Sequence, residues 1–386
     1  MKQRTLIEGS LQLRATRLGA LAVGLAILIL LPIIVAGSQI NVLSQMIAYA
    51  VAILGLVLLT GYTGQISIGH SAFVGIGAYT TLILVANHGW SWLVTLPASF
   101  VVCLIAGVVV GVPALRISGL YLATVTLALA VMFPSLVDRL GSLTGGTAGL
   151  FASSAMPVPS WFPENSTTLN GQAAFHYYVI LGVAIIVFAL VRNLMRTRVG
   201  RALIALRDTP YAATASGIKV AHYKVAAFAL SAGVAGIAGS LLAIVLPNVF
   251  DTQFDLLLSI YLVIGLVAGG RASIYGAIPG AIVFIALNNW IPNGVVSLNL
   301  LSGNANGGQS VGIISGALLV AFAFLLPGGA IEGLTRLGGR FFRIRQTPPR
   351  GWEAHKRHTE PMADGESDQV SAVGERAEVS TQREGH

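Results

Sequence analysis

Apolar residues in this chain come in long runs that nothing charged interrupts. No Asp, Glu, Lys or Arg occurs from Leu18 to Leu115, and none from Ala272 to Ile331. A helix that crosses a bilayer needs roughly 20 largely apolar residues, so each of those stretches holds several. A soluble core of that length would be broken by solvated loops. Reading apolar runs between breakers predicts ten spans, at about 18–36, 40–60, 65–86, 92–112, 119–138, 176–192, 224–246, 256–270, 273–291 and 311–327. The eighth and ninth are short and separated only by Arg271. The first run exceeds the roughly 7–15 apolar residues of a cleaved signal, so it reads as a retained anchor. The pattern predicts an all-α fold, a polytopic transmembrane helical bundle.

Composition agrees: 55% of residues are hydrophobic and 10% charged, against about 25% charged in soluble domains. The net charge of +8 divides into two regions, +12 over residues 1–350 and −4 over the last 36. A basic total can signal nucleic-acid binding, but these Arg residues sit in short loops between apolar runs, where they act as topology signals. With Lys2, Arg4, Arg14 and Arg17 inside, ten spans place Arg116, the loop from Arg192 to Lys224, Arg271 and the cluster Arg336, Arg340, Arg343, Arg345 and Arg350 inside as well. Loops 140–175, 247–255 and 292–310 fall outside. Arg139, at the outer end of the fifth span, is the exception. The expected organisation is a basic cytoplasmic N-terminus over 1–17, a membrane domain over 18–345 and a cytoplasmic tail over 346–386. That tail holds too little apolar surface to fold. The single cysteine, Cys103, lies in an apolar run and reads as a core residue.

The most unusual segment runs from Gly61 to Tyr79. It places Gly61, Gly64, Gly69, Gly75 and Gly77 beside Gln65, Ser67, His70 and Ser71 at expected membrane depth. Unsatisfied polar groups are costly in hydrocarbon, so irregular backbone there must face protein or a wet cavity. Glycines also let helices approach closely. Two readings follow: tight packing with Gln65 and His70 as interhelical hydrogen-bond partners, or a broken helix beside a translocation route. At the start of the fifth span, Thr124 and Thr126 are placed to return their hydroxyls to carbonyls one turn back. No phosphate-binding loop, H-E-x-x-H or nucleophile elbow occurs, no metal-ligand spacing surrounds His70, and intramembrane carboxylates are missing apart from Asp138 and Asp255 at span ends. The chain is therefore not expected to be an enzyme, to bind metal or to run an ion relay. Over 193–223 the sequence predicts a basic amphipathic helix from Val199 to Thr209, a break at Pro210, and a second short helix with a glycine C-cap at Gly217. Such a loop suits docking to a soluble partner; a plain surface loop and a membrane-surface contact are the other readings.

Four segments in order resemble the permease subunits of ABC importers for branched-chain amino acids, specifically the LivM type. They are Gly61–Thr80, Leu115–Ala130 with Thr144–Leu150, Gly200–Ala243 and Ser259–Ala281, within about 40–327. The most specific patterns are Gly-Gln-x-Ser-x-Gly-His at 64–70, Gly-x-Gly-Ala-Tyr at 75–79, Gly-Arg-Ala-Leu at 200–203 and Ala-Ala-x-x-x-Gly at 212–217. The resemblance implies that loop 193–223 is a coupling element seated in an ATP-binding subunit, with docking carried onto Arg207, Ala212, Ala213 and Gly217. Two departures stand out. Thr209, Pro210 and Tyr211 occupy the place of the family's usual acidic residue, leaving only Asp208 nearby. A later Gly-Gly-x-Gly pattern reads Gly269-Gly270-Arg271-Ala272.

The resemblance further implies a complex in a bacterial plasma (inner) membrane, with both termini of this chain cytoplasmic. Its other parts are a second, related permease, two ATP-binding subunits and an extracytoplasmic solute-binding protein. No cofactor is expected in this chain, since ATP would be bound by partner subunits. Alternating access is the implied mechanism, and Gln65, Ser67, His70, Tyr79, Tyr121, Thr124 and Thr126 are the candidate route residues. A urea or short-amide importer is an alternative of the same class. A stand-alone transporter or channel is the alternative of another class, opposed by the docking loop and the missing ion relay.

Overall fold

The computed structural model describes residues 4–7, 24, 26–32, 37–114, 120–151, 156–159, 165–166, 169–246, 248–270, 273–290 and 342–345. The expected tenth span, loop 292–310, the tail and Arg116, Arg271, Arg336, Arg340 and Arg350 lie outside those residues. Of the expected first span, helical residues 26–32 are described; the backbone carbonyls of Leu28 and Ile29 accept the hydroxyls of Tyr177 and Tyr178.

The long apolar runs form helices, as expected. Helix α1 spans Gly37–Leu56 and widens into a π turn at Val57–Gly61. Helix α2 runs from His70 to His88, α3 from Trp92 to Ala114, and α4 from Leu120 to Arg139. Helix α5 covers Gly171–Arg196 and leads into two short helices, α6 (Arg198–Asp208) and α7 (Pro210–Ala215). Helix α8 covers Val220–Val245, α9 Leu256–Gly269 and α10 Ala277–Ile285. Seven helices among the described residues are long and apolar enough to cross a membrane. The eighth expected run gains length from a 3-10 turn and reads Asp251–Gly269, and the ninth is described as an apolar helix over Ile274–Asn289. Eight of the ten expected runs are thus described as helices at their expected places, the ninth as far as Trp290.

Helix α8 sits at the centre, packed on α1, α2 and α3. Its small residues make that possible. A Cβ at Gly236 would lie 2.6 Å from the Cys103 thiol, and one at Gly239 would collide with the Val74 carbonyl. Hydroxyls knit the same interface: Thr81 donates to Ser240 over 2.7 Å, and Ser99 pairs with Ser240 at 2.5 Å. Cys103 is fully buried, its thiol 3.3 Å from the Phe73 carbonyl, which is the core position expected for it. Between helices in lipid, such packing and hydrogen bonds replace the hydrophobic drive.

Helices α9 and α10 form an antiparallel hairpin closed by glycine. A Cβ at Gly269 would collide with the Gly276 carbonyl, and one at Gly280 with the Gly265 carbonyl. The close turn thus survives the departure at 269–272, because Gly276 and Gly280 supply the contact. The outward faces of α3 and α5 are aliphatic, including Val101, Ile105, Val109, Ile186 and Leu190. In water such a surface would be an aggregation hazard; in a bilayer it is the lipid face.

Loops 140–175 and 247–255 meet at one end of the bundle, where Leu150–Phe151 pairs antiparallel with Asn248–Val249. The opposite end gathers the α1–α2 connector and α6. Apart from the bundle, Arg4–Ile7 pairs in parallel with Phe342–Arg345.

Candidate functional site

The segment Gly61–Gly69 is the connection between α1 and α2. Helix α2 begins at His70, five residues later than the sequence pattern suggests for the third span, so Gln65 and Ser67 lie on irregular backbone. Two glycines enforce this. Gly64 has φ +72, a conformation that other residues adopt at a cost, and a Cβ at Gly69 would collide with the Thr126 carbonyl.

A helix end leaves carbonyls and amides without intrahelical partners, and here neighbouring elements supply them. The Thr63 hydroxyl donates to the Leu59 carbonyl at 2.5 Å, and Thr60 donates to the Gln65 carbonyl at 3.0 Å. Gln65 Nε2 donates to Thr63 Oγ1 at 3.0 Å and reaches the Lys224 carbonyl of α8 at 3.4 Å. At the start of α2, the Ile68 amide donates to Thr126 Oγ1 of α4 at 3.0 Å. The Ser71 amide donates to Ser259 Oγ of α9 at 3.0 Å, and Ser259 donates in turn to Ser71 Oγ at 2.6 Å. The connector is thereby tied to α4 and α8, and the first turn of α2 to α9.

Two side chains inside this cage keep unused polar atoms. Ser67 and His70 are each 1% exposed. The His70 ring interacts with the Ala52 backbone, yet its Nε2 has no hydrogen-bond partner, and neither has Ser67 Oγ. His70 stands over Gly55 of α1, where a Cβ would lie 2.8 Å from Nε2 and 3.0 Å from the Ser231 carbonyl. Ser231 donates to the Gly55 carbonyl at 2.7 Å.

The structure therefore brings Gln65, Ser67, His70 and Thr126 together. Tyr79 lies two and a half turns further along α2, buried against Phe133 and Phe254, its hydroxyl unpartnered. Tyr121 is 74% exposed and Thr124 shares its outward face, donating to the Tyr121 carbonyl at 2.8 Å; neither touches the connector. Of the expected packing glycines, Gly69, Gly75 and Gly77 face the Thr126 backbone, the Phe133 ring and the Gly236 backbone. Gly64 shapes the turn, and Gly61 lends its carbonyl to α6.

Helices α6 and α7 appear where the sequence predicts them. Thr197 caps α6 by accepting from the Val199 amide, and Pro210 opens α7 at its first turn. The chain leaves α7 through Gly217 at φ +80, with the Ile218 amide donating to the Ala213 carbonyl. Of the expected docking residues, Ala212 and Gly217 are exposed, while Ala213 is buried against the bundle. Arg207 turns back into the protein: Nη1 donates to the Gly61 carbonyl at 3.0 Å and Nε to Asp208 Oδ1 at 2.9 Å. Burial raises the Tyr62 phenol above its ordinary pKa, and the Ile274 backbone and the Arg207 charge offset part of that rise.

Sequence reasoning passed over Gly55, Ser231 and Ser259, whose signal was a small or hydroxylated residue within an apolar helix. Tyr211, which the sequence marked only as a departure from the family pattern, is 91% exposed at the tip of the α6–α7 loop. At the far end of the bundle a cleft of about 270 Å³ is lined by Gln45, Tyr49, Gln253, Asp255, Tyr261 and Asn288, among others. None of these was expected. No group of three metal-ligating side chains occurs among the described residues.

Residues 38–323 match the model of the family described as branched-chain amino acid transport system / permease component. The chain belongs to that family. This permease is 29% identical over 280 residues to the high-affinity branched-chain amino acid transport system permease protein LivM of Salmonella typhimurium, covering 68% of this chain and 65% of that one. It is 29% identical over 273 residues to the LivM protein of Escherichia coli, covering 66% and 64%. The match thus spans just under two thirds of those relatives' length. A probable ABC transporter permease protein of Escherichia coli, YphD, is 32% identical over 165 residues, 40% of this chain and 49% of that protein. No solved structure matches this permease. The family is one of transport permeases rather than enzymes, and its chemistry here is that of a multi-pass membrane bundle.

Proposed function

We propose that this permease carries branched-chain amino acids inward across the bacterial plasma membrane as one subunit of an ATP-driven importer. The observation that carries the reading is the α6–α7 loop. It is a basic two-helix element with Tyr211 almost fully exposed, and it lies against the polar connector at one end of an otherwise apolar bundle. Its partners in this reading are two ATP-binding subunits, which hold the ATP and dock on the loop, a second related permease, and an extracytoplasmic solute-binding protein. The membrane domain then runs over 18–345, flanked by cytoplasmic 1–17 and 346–386.

Mechanistically, closure of the ATP-binding subunits displaces α6–α7, and the bundle alternates between openings at its two ends. Gln65, Ser67, His70 and Thr126 line the inner part of the route. The unpartnered Ser67 hydroxyl and His70 Nε2 supply neutral polar contacts to a zwitterion. Tyr79 stands further out, and Tyr121 and Thr124 face the second permease. The cleft at the far end, with Asp255 and three amide side chains, serves as the outer mouth. Lipid surrounds α3 and α5.

The test is uptake of labelled leucine in cells with and without the gene, with ATP depleted or the proton gradient collapsed separately. Gene-dependent uptake that requires ATP supports the reading. Unchanged leucine uptake in the deletion points to urea or short amides instead, and gene-dependent uptake that survives ATP depletion points to a stand-alone transporter.

A further inference from the structure

Arg207 was expected on the docking surface; it is exposed, yet its guanidinium bonds back onto the chain rather than projecting freely. The Gly61 carbonyl lies at the end of the π turn closing α1, where the helix runs out of amide donors. Arg207 Nη1 fills that vacancy at 3.0 Å, across 146 residues of sequence. Asp208 holds the guanidinium from the other side at 2.9 Å. An exposed ion pair of this kind adds little stability, but it fixes where the fork points. The aliphatic stem of Arg207 lies over Gly64: a Cβ there would sit 3.2 Å from its Cγ, on backbone already at φ +72. One residue of α6 therefore grips the connector at both its first carbonyl and its sharpest turn. Beyond that turn come Gln65, Ser67 and His70.

Resting on the function proposed above, we propose that Arg207 is a positioning residue that transmits displacement of the α6–α7 loop to the α1–α2 connector, rather than a contact for the ATP-binding subunits. A cation capping a helix C-terminus is also a common stabilising device, so the test must separate transmission from stability and from docking.

The purified complex is reconstituted with wild-type permease, Arg207→Gln, Arg207→Lys and Gly64→Ala. The expected result is that R207Q keeps its ATP-binding subunits and at least a third of the ATP hydrolysis, while leucine imported per ATP falls at least tenfold. R207K, which can still reach a carbonyl, restores part of that ratio, and G64A lowers it as R207Q does. Hydrogen exchange on the same complexes shows amides 62–69 at least tenfold faster in R207Q, with α6 unchanged. Loss of the ATP-binding subunits in step with uptake overturns the proposal in favour of docking. An unchanged import-to-ATP ratio, or unchanged exchange at 62–69, overturns it outright. A wild-type complex that imports nothing with ATP overturns the proposed function instead, and the exchange comparison still decides whether Arg207 holds the connector.

Discussion

Thr126 Oγ1 accepts the Ile68 amide at 3.0 Å while donating to the Ala123 carbonyl one turn back, also at 3.0 Å. The hydroxyl thus serves the intrahelical role expected from the sequence and a second, tertiary role that the sequence does not display. Thr126→Val keeps the shape and removes the acceptor, leaving a poorly solvated amide unpaired, at a cost of about 1–3 kcal/mol. Thr126→Ser keeps most of the stability. Thermal unfolding of the permease in detergent checks both, and a T126V variant melting with the wild type would show that water replaces the bond.

Gly77 and Gly182 are both helical glycines and should respond in opposite ways. A Cβ at Gly77 collides with the Gly236 backbone, whereas nothing lies within 4 Å of one at Gly182. Gly77→Ala forces α2 and α8 apart and costs about 1–3 kcal/mol or more. Gly182→Ala is neutral or stabilising by up to about 1 kcal/mol, the helix-propensity gain. Folded yield after detergent extraction ranks the two.

Asp255 caps α9 by accepting from the Leu258 amide at 3.1 Å. Asp255→Ala should cost about 1 kcal/mol, while Asp255→Asn, itself a good cap, should cost little. If Asp255 also attracts the cargo ammonium at the outer cleft, D255N lowers leucine uptake at unchanged melting temperature. Measuring both on one variant separates cap from charge.

Tyr211 makes almost no contact within the chain. Tyr211→Ala should leave the melting temperature unchanged and reduce co-purification of the ATP-binding subunits severalfold. Intact co-purification would place the docking contacts elsewhere on the loop.

Much of this architecture was legible because lipid imposes simple rules. Long uncharged runs had to be helices, and Pro210 and Gly217 marked the break after α6 and the end of α7 to within two residues. The hairpin of α9 and α10 was less legible, since apolar length alone does not say where a chain bends back; the close approach of Gly276 to Gly269 decides that. In the site, the density of glycine and hydroxyl residues at 61–79 announced irregular backbone, and Gln65, Ser67 and His70 followed. Tyr121 and Thr124 belong to the same sequence block as Thr126 but point outward, because helical phase, set by packing of α4 on α2, separates them. Arg207 was read as a surface residue since nothing local signals a partner 146 residues away.

The most direct test of the account is the side on which the α6–α7 loop lies. Cys103 is fully buried, so Tyr211→Cys introduces a single accessible thiol. A membrane-impermeant maleimide should leave Y211C unlabelled in intact cells and label it once the membrane is opened. Labelling in intact cells would put the loop outside, away from ATP, and contradict the account.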